Sequence, residues 1–171
     1  METERIFKKE IMKITITGVT GFVGQNLAKY LSDIDVLGIS RDAKGINITY
    51  PELSLNIFNK QKAFIHLAGK SHDLKKTSDD KEYFEVNTEL TKRLFDQFLE
   101  SDCETFIYMS SVKAVADQAD GILTENVKPN PLTVYGKSKL AAEEYILSRK
   151  KLKNKRVFVL RPCMIHGPNN K

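Results

Sequence analysis

One short segment constrains the fold of this chain more than any other: Thr17-Gly18-Val19-Thr20-Gly21-Phe22-Val23-Gly24. It follows Lys13-Ile14-Thr15-Ile16-Thr17, which alternates as a strand does. It opens a helical pattern from Gly21 to Leu31, with Phe22, Leu27, Tyr30 and Leu31 on or near one face. Glycines in such a place serve a tight turn, close approach of backbone to a pyrophosphate, and close packing of helix on strand. The helix that starts there turns free N–H groups and the positive end of its dipole toward phosphate oxygens. A purely structural turn would also use glycine, but the position between a strand and a helix points to a dinucleotide.

The rest of the chain repeats the alternation. Short apolar runs at Val36–Ile39, Ile46–Ile48, Ala63–Leu67, Thr105–Met109 and Arg156–Leu160 read as strands. Between them an amphipathic helix is expected from about Lys81 to Glu100, with Val86, Leu90, Leu94 and Phe98 at i, i+4 steps. A second is expected from about Tyr135 to Arg149, after a turn-rich loop from Asp117 to Pro131. Strands alternating with helices imply right-handed crossovers and a parallel sheet covered on both faces. The fold class is therefore α/β, a doubly wound parallel sheet of Rossmann type, with ligands at the carboxyl ends of the strands. A length of 171 residues suits one core, so residues 12–171 are expected to form one dinucleotide-binding domain behind a polar, aperiodic extension at residues 1–11.

Composition removes several alternatives. No run of 18 apolar residues and no leading charged-then-apolar segment is present, so neither a membrane partner nor a secretory signal is expected. Cys103 and Cys163 make no disulfide framework, and His66, His72 and His166 are scattered, so no metal is expected and the setting reads as reduced and cytoplasmic. The net charge of +5 comes largely from Arg149 to Arg156, which reads as a solvated helix end favoured by the helix dipole. No base-reading motif accompanies it, and no nucleic-acid partner is expected.

The chemistry concentrates in Tyr135-Gly136-Lys137-Ser138-Lys139 and in Ser110-Ser111 at the end of the fifth strand. Tyr135 and Lys139 are four apart and share a helix face. An ammonium beside a phenol favours the phenolate and is expected to lower its pKa from about 10. The glycine spacing G-x-x-G-x-x-G, His66-Leu67-Ala68-Gly69, and Tyr135 with Lys139 together resemble the extended short-chain dehydrogenase/reductases, the NAD-dependent epimerase/dehydratase family. The likeness runs from Met12 to Pro168 and is greatest to members acting on nucleotide-activated sugars. It implies a Ser111-Tyr135-Lys139 catalytic triad. It also implies cofactor contacts from Gly18, Thr20, Gly21, Phe22, Val23, Gly24, Ser40, Arg41, Leu67, Ala68, Gly69, Asn87, Tyr135, Lys139 and Pro162. Thr124 to Thr133 resembles the stretch leading to the catalytic tyrosine. Arg161-Pro162 to Gly167-Pro168 resembles an R-P-x-x-x-Y-G-P segment in which His166 replaces the tyrosine.

Within that family the second strand bears on the cofactor. An acidic residue there binds the ribose 2′-OH of NAD, whereas an arginine accommodates the 2′-phosphate of NADP. Ser40-Arg41 ends this strand and Asp42 comes late, so NAD(P) is expected with NADP slightly favoured. Val112-Lys113 stands where 4,6-dehydratases of this kind carry an acidic pair, which disfavours loss of water and leaves a 4-epimerase or a 4-keto reductase. The resemblance implies a nucleotide-sugar substrate and a homodimer at full length. The stretch Tyr50 to Lys62 is short for the family, and the substrate-gripping lobe is expected beyond Lys171. A dinucleotide-binding module or remnant without turnover is the alternative.

Overall fold

A computed structural model describes residues 12–41, 48–49, 57–71, 79–118, 121–149 and 154–168. The extension at residues 1–11, Asp42, His72, most of the short 50–62 stretch and the middle of the basic run fall outside these described residues. Six parallel strands form one sheet in the order β3-β2-β1-β4-β5-β6: β1 Lys13–Thr17, β2 Asp35–Ser40, β3 Ile48–Thr49, β4 Ala63–His66, β5 Thr105–Met109 and β6 Arg156–Leu160. The helices are α1 Phe22–Tyr30, α2 Asp80–Phe84, α3 Leu90–Glu100 and α4 Val134–Ser148. The doubly wound fold is as the sequence pattern implies. The chain reverses its direction of travel between β1 and β4, and this opens a crevice at their carboxyl ends.

Of the third strand, expected at Ile46–Ile48, the described part is Ile48–Thr49, a short pairing with Ile39 and Ser40; residues 46 and 47 lie outside the described residues. One local difference has a physical reason. The helix expected over 81–100 is interrupted by a π-helical turn, Glu85–Glu89, which joins α2 to α3. That extra residue per turn rotates the buried stripe, so Asn87, Thr88 and Thr91 are buried along with Leu90, Leu94 and Phe98. An i, i+4 count of apolar residues alone misses the polar part of the stripe.

Register sorts the side chains onto two faces. Thr15, Thr17, Phe64, His66, Phe106, Tyr108, Val157 and Val159 share one face, since Thr15 pairs with Phe64, His66 with Tyr108 and Phe106 with Val157. Helices α3 and α4 lie over it through an aromatic core. Phe58 stacks on Phe64 at 4.2 Å, Phe64 on Phe106 at 5.6 Å, and Phe95 meets Phe106 edge-on at 5.1 Å. Tyr145 of α4 donates to Asp96 of α3 at 2.7 Å. Lys155, from the basic run, is a cap for α3 and not for α4. Its ammonium donates to the carbonyls of Phe98, Ser101 and Cys103, each at 2.8 Å, at the negative end of the α3 dipole. No described helix is long and apolar enough to cross a membrane.

Candidate active site

The turn after β1 shows why glycine is required. Gly18 sits at φ +70, and a Cβ there would lie 2.8 Å from the Ala68 nitrogen and 2.9 Å from its Cα, at the end of β4. Its N–H donates to the Ile39 carbonyl of β2 at 2.8 Å, so the turn is fastened to both neighbouring strands. A Cβ on Gly24 would fall 2.6 Å from the Val19 Cα, which is why α1 can pack directly against the turn. Gly21 is the N-cap of α1. No side chain caps this end, and its first turn holds no acidic residue. The amides and the dipole of that turn are thereby left for an anion, and the cradle fits a dinucleotide pyrophosphate.

Two adjoining cavities extend from this turn. One of about 410 Å³ is lined by Gly18, Thr20, Gly21, Ser40, Arg41 and Leu67 to Ser71. The other, about 600 Å³, is lined by Gly18, Gly21 to Gly24, Ser111, Lys113, Tyr135, Lys139 and Pro162 to Ile165. Of the residues expected to touch cofactor, all but Asn87 line one of the two. Asn87 lines neither. Fully buried, it accepts from the Lys70 N–H at 2.8 Å and donates to the Lys70 carbonyl and the Ser138 hydroxyl, each at 2.9 Å. It braces the strand end beside Gly69, whose missing Cβ leaves room for the Asn87 Oδ1 and the Lys139 ammonium. His166 is exposed and is not part of either wall.

Ser111, Tyr135 and Lys139 all face the second cavity. Ser111 is the N-cap of a 3₁₀ turn, Val112–Ala114, and accepts from the Lys113 N–H at 3.2 Å. Burial raises the Tyr135 pKa above the usual tyrosine range, and the neighbouring Ser111 hydroxyl pulls it only partly back. The Lys139 ammonium adds no lowering of its own. It donates to the Met109 carbonyl at 2.9 Å and sits 4.9 Å over the Tyr108 ring. Burial brings Lys139 itself down to about 8, with Glu143 opposing.

Two buried arrangements escaped the sequence reading. Glu143, one turn after Lys139 on α4 and fully buried, accepts from Arg161 Nε at 3.0 Å and from its Nη2. It also accepts from the Ser110 hydroxyl, and so ties α4 to the ends of β5 and β6. The i, i+4 step from Lys139 was a usable signal; the Arg161 partner was not visible. His66 is also fully buried, between Thr17 at 2.6 Å and Thr91 at 2.9 Å. The Thr91 hydroxyl donates to the Asn87 carbonyl at 2.7 Å, so it accepts from His66 Nε2–H. Thr17 accepts from the Ala68 N–H at 3.3 Å and so donates to Nδ1. The network thus assigns the Nε2–H tautomer. Burial, aided by the Lys139 charge, pushes the His66 pKa down to about 3. Among the described residues no cluster of three potential metal ligands occurs.

Fold and cradle together define an α/β protein of the doubly wound, Rossmann type. Residues 14–171 match the model of the NAD dependent epimerase/dehydratase family, and the chain belongs to that family. It is 31% identical to UDP-glucose 4-epimerase of Vibrio cholerae, over 96% of this chain and 55% of that protein. It is 29% identical to GDP-6-deoxy-D-mannose reductase of Pseudomonas aeruginosa, over 93% of this chain and 54% of the relative. Among solved structures, MoeE5 in complex with UDP-glucuronic acid and NAD superposes with a TM-score of 0.75 at 26% identity, covering 87% of this chain and 54% of the other. The chain thus spans about half the length of the relatives it matches.

Proposed function

We propose that this chain carries the cofactor and acid/base half of an NAD(P)-dependent enzyme that performs hydride exchange at C4 of a nucleotide-linked sugar, as a 4-epimerase or a 4-keto reductase. One observation carries the reading. Ser111, Tyr135 and Lys139 share a cavity that adjoins the glycine cradle, and no described carboxylate lines that cavity. Without an acid in the wall, elimination of water lacks its proton donor, whereas a phenol suffices for redox chemistry at a hydroxyl or keto carbon.

The nicotinamide cofactor, when bound, supplies the hydride acceptor or donor. Tyr135 takes the proton of the sugar hydroxyl in oxidation and returns one to the keto oxygen in reduction. Ser111, which lines the same cavity as the phenol, orients the reacting oxygen. Lys139 turns its ammonium into the same cavity, where it holds the cofactor ribose and favours phenolate once its bond to Met109 is exchanged. Arg41, exposed at the rim of the first cavity, supports NADP over NAD through a charge-assisted contact to the 2′-phosphate. In this reading residues 12–171 are the dinucleotide-binding domain, a cytoplasmic homodimer at full length, and the sugar's nucleotide is gripped by a lobe the relatives' greater length accommodates.

Calorimetric titration tests the cofactor part. NADPH should bind more tightly than NADH, Arg41→Ala should weaken NADPH selectively, and absence of binding by folded protein would overturn the reading. In a longer polypeptide carrying the same residues, Tyr135→Phe should lower turnover by ~10²–10⁴-fold with cofactor affinity kept. Mass spectrometry should find no product lighter by one water. The second reading is a dinucleotide-binding module without turnover. Cofactor binding without turnover in any form of the protein would decide for it.

A further inference from the structure

Ser111 and Tyr135 sit on different elements, separated by the long loop between β5 and α4. A turn-rich loop of this length does not by itself hold two side chains against one cavity. Something must set where α4 begins relative to the end of β5.

We infer that Asp117 is the positioning residue that holds Tyr135 against Ser111. The inference rests on the proposed acid/base role of Tyr135 and adds a residue to the same site. The Asp117 Oδ2 accepts from the backbone N–H groups of Leu132 at 2.6 Å and Thr133 at 3.1 Å, and Oδ1 accepts from the Thr133 hydroxyl at 2.9 Å. That hydroxyl in turn accepts from the Gly136 N–H at 3.1 Å, as the N-cap of α4. The carboxylate therefore reaches through Thr133 into the helical turn that holds Tyr135.

The other end of the link is Ser111. Lys113 donates its N–H to the Ser111 hydroxyl at 3.2 Å, its ammonium donates to the Asp117 carbonyl at 2.7 Å, and that ammonium lies 3.9 Å from Oδ1. The Asn130 N–H closes the base of the loop on the Val115 carbonyl at 2.8 Å. Gly136 completes the fit, since a Cβ there would overlap the Lys113 carbonyl and come within 2.8 Å of Pro131 Cβ. Asp117 lines no part of the cavity that holds Tyr135.

The residue type suits the task. An ionised carboxylate only accepts, and its two oxygens serve three donors at once, which no neutral side chain of that length does. Burial tends to raise the Asp117 pKa, but the bonds from Leu132 and Thr133 and the Lys113 charge hold it below the usual carboxylate range. The clamp is therefore set throughout the neutral region.

The test follows Tyr135 itself, so it needs no turnover. The protein holds six tyrosines. Labelling their Cζ carbons with ¹³C and comparing with Tyr135→Phe identifies the resonance of Tyr135. In the unaltered protein the phenol should titrate above the ordinary value of about 10. In Asp117→Ala the resonance should move toward that of an exposed tyrosine and the midpoint should fall toward 10, because burial is the larger influence on this group. Asp117→Asn keeps one side-chain oxygen for the two backbone donors and should restore most of the original signal. Thr133→Val breaks only the relay and should shift Tyr135 in the same direction by less. A merely structural staple would lower the melting temperature and leave the Tyr135 titration where it was. That result, in folded Asp117→Ala or, if it does not fold, in Thr133→Val, overturns the inference. Cofactor affinity should stay within about two-fold, as for separate sites. Loss of binding in every form, the unaltered protein included, would count against the cofactor reading while the Tyr135 signal still judged Asp117.

Discussion

The two faces of the sheet are built from the same kinds of residue and end up in different surroundings. On the face under α3 and α4, Phe64, His66, Phe106 and Tyr108 are fully buried and Leu37, Val157 and Val159 pack against them half-buried. On the face that carries α1, Ile14 and Ile16 are buried, Ile65 and Ile107 are half-buried, and Phe158 and Leu160 are 48% and 44% exposed. Cover on that face thins toward β6. The site lies at the carboxyl ends of the better covered strands, where Tyr135 and Lys139 are held from one side by α4 and the glycine turn from the other. The difference teaches that the cofactor end of this domain is organised by the face under α3 and α4, and that Phe158 and Leu160 of β6 carry little of its stability.

The sharpest way to break this comparison is a matched pair of truncations. Phe106→Ala should cost ~3–5 kcal/mol of unfolding free energy, because a fully buried ring at the centre of the aromatic core leaves a cavity. Phe158→Ala, on the neighbouring strand and open face, should cost only a small part of that. Urea unfolding of both variants checks it, and equal losses would dissolve the distinction between the faces.

A pH series sharpens it. His66, on the covered face, has a folded pKa of about 3 against an ordinary value of about 6.5. Below about 6.5 the unfolded chain binds a proton that the folded one refuses. Stability attributable to His66 is therefore fully present above that pH and falls through the window from about 6.5 to about 3, by roughly 1.4 kcal/mol per pH unit. His66→Gln, compared with the unaltered protein by urea unfolding at pH 7 and pH 5, should show a shallower loss. Identical slopes would place His66 in contact with solvent.

The smallest effect is expected on the open face. Leu160→Ser should change stability by no more than ~0.5 kcal/mol, as for a surface position. A larger drop in thermal unfolding would mean that Leu160 is covered in solution.

Much of this was legible in the chain. The bounds of β1, β5 and β6 follow from alternation and from flanking turn residues, and the Gly18 turn from the strand before it and the helix after it. Ser111, Tyr135 and Lys139 converge on one cavity as their family order implies. What was not legible involves partners distant in sequence. Asn87 fits the pattern of a cofactor contact, yet it turns to Lys70 and Ser138 because the π-helical turn rotates it inward. Lys155 reads as part of a solvated charge run and instead caps α3, whose end happens to lie beside the start of β6.

The sequence by itself determined the periodic and conformational features: which runs extend, which coil, and where only glycine can turn. These depend on dihedral preference and on side-chain spacing within a few residues, both of which are local. The tertiary structure decided the electrostatics. It sent the Lys139 ammonium to Met109 instead of to the phenol, raised Tyr135 by burial, kept His66 neutral and paired Glu143 with Arg161. Each of these turns on how deeply a group is withdrawn from water and which donor then lies within about 3 Å, quantities that arise only when distant segments pack.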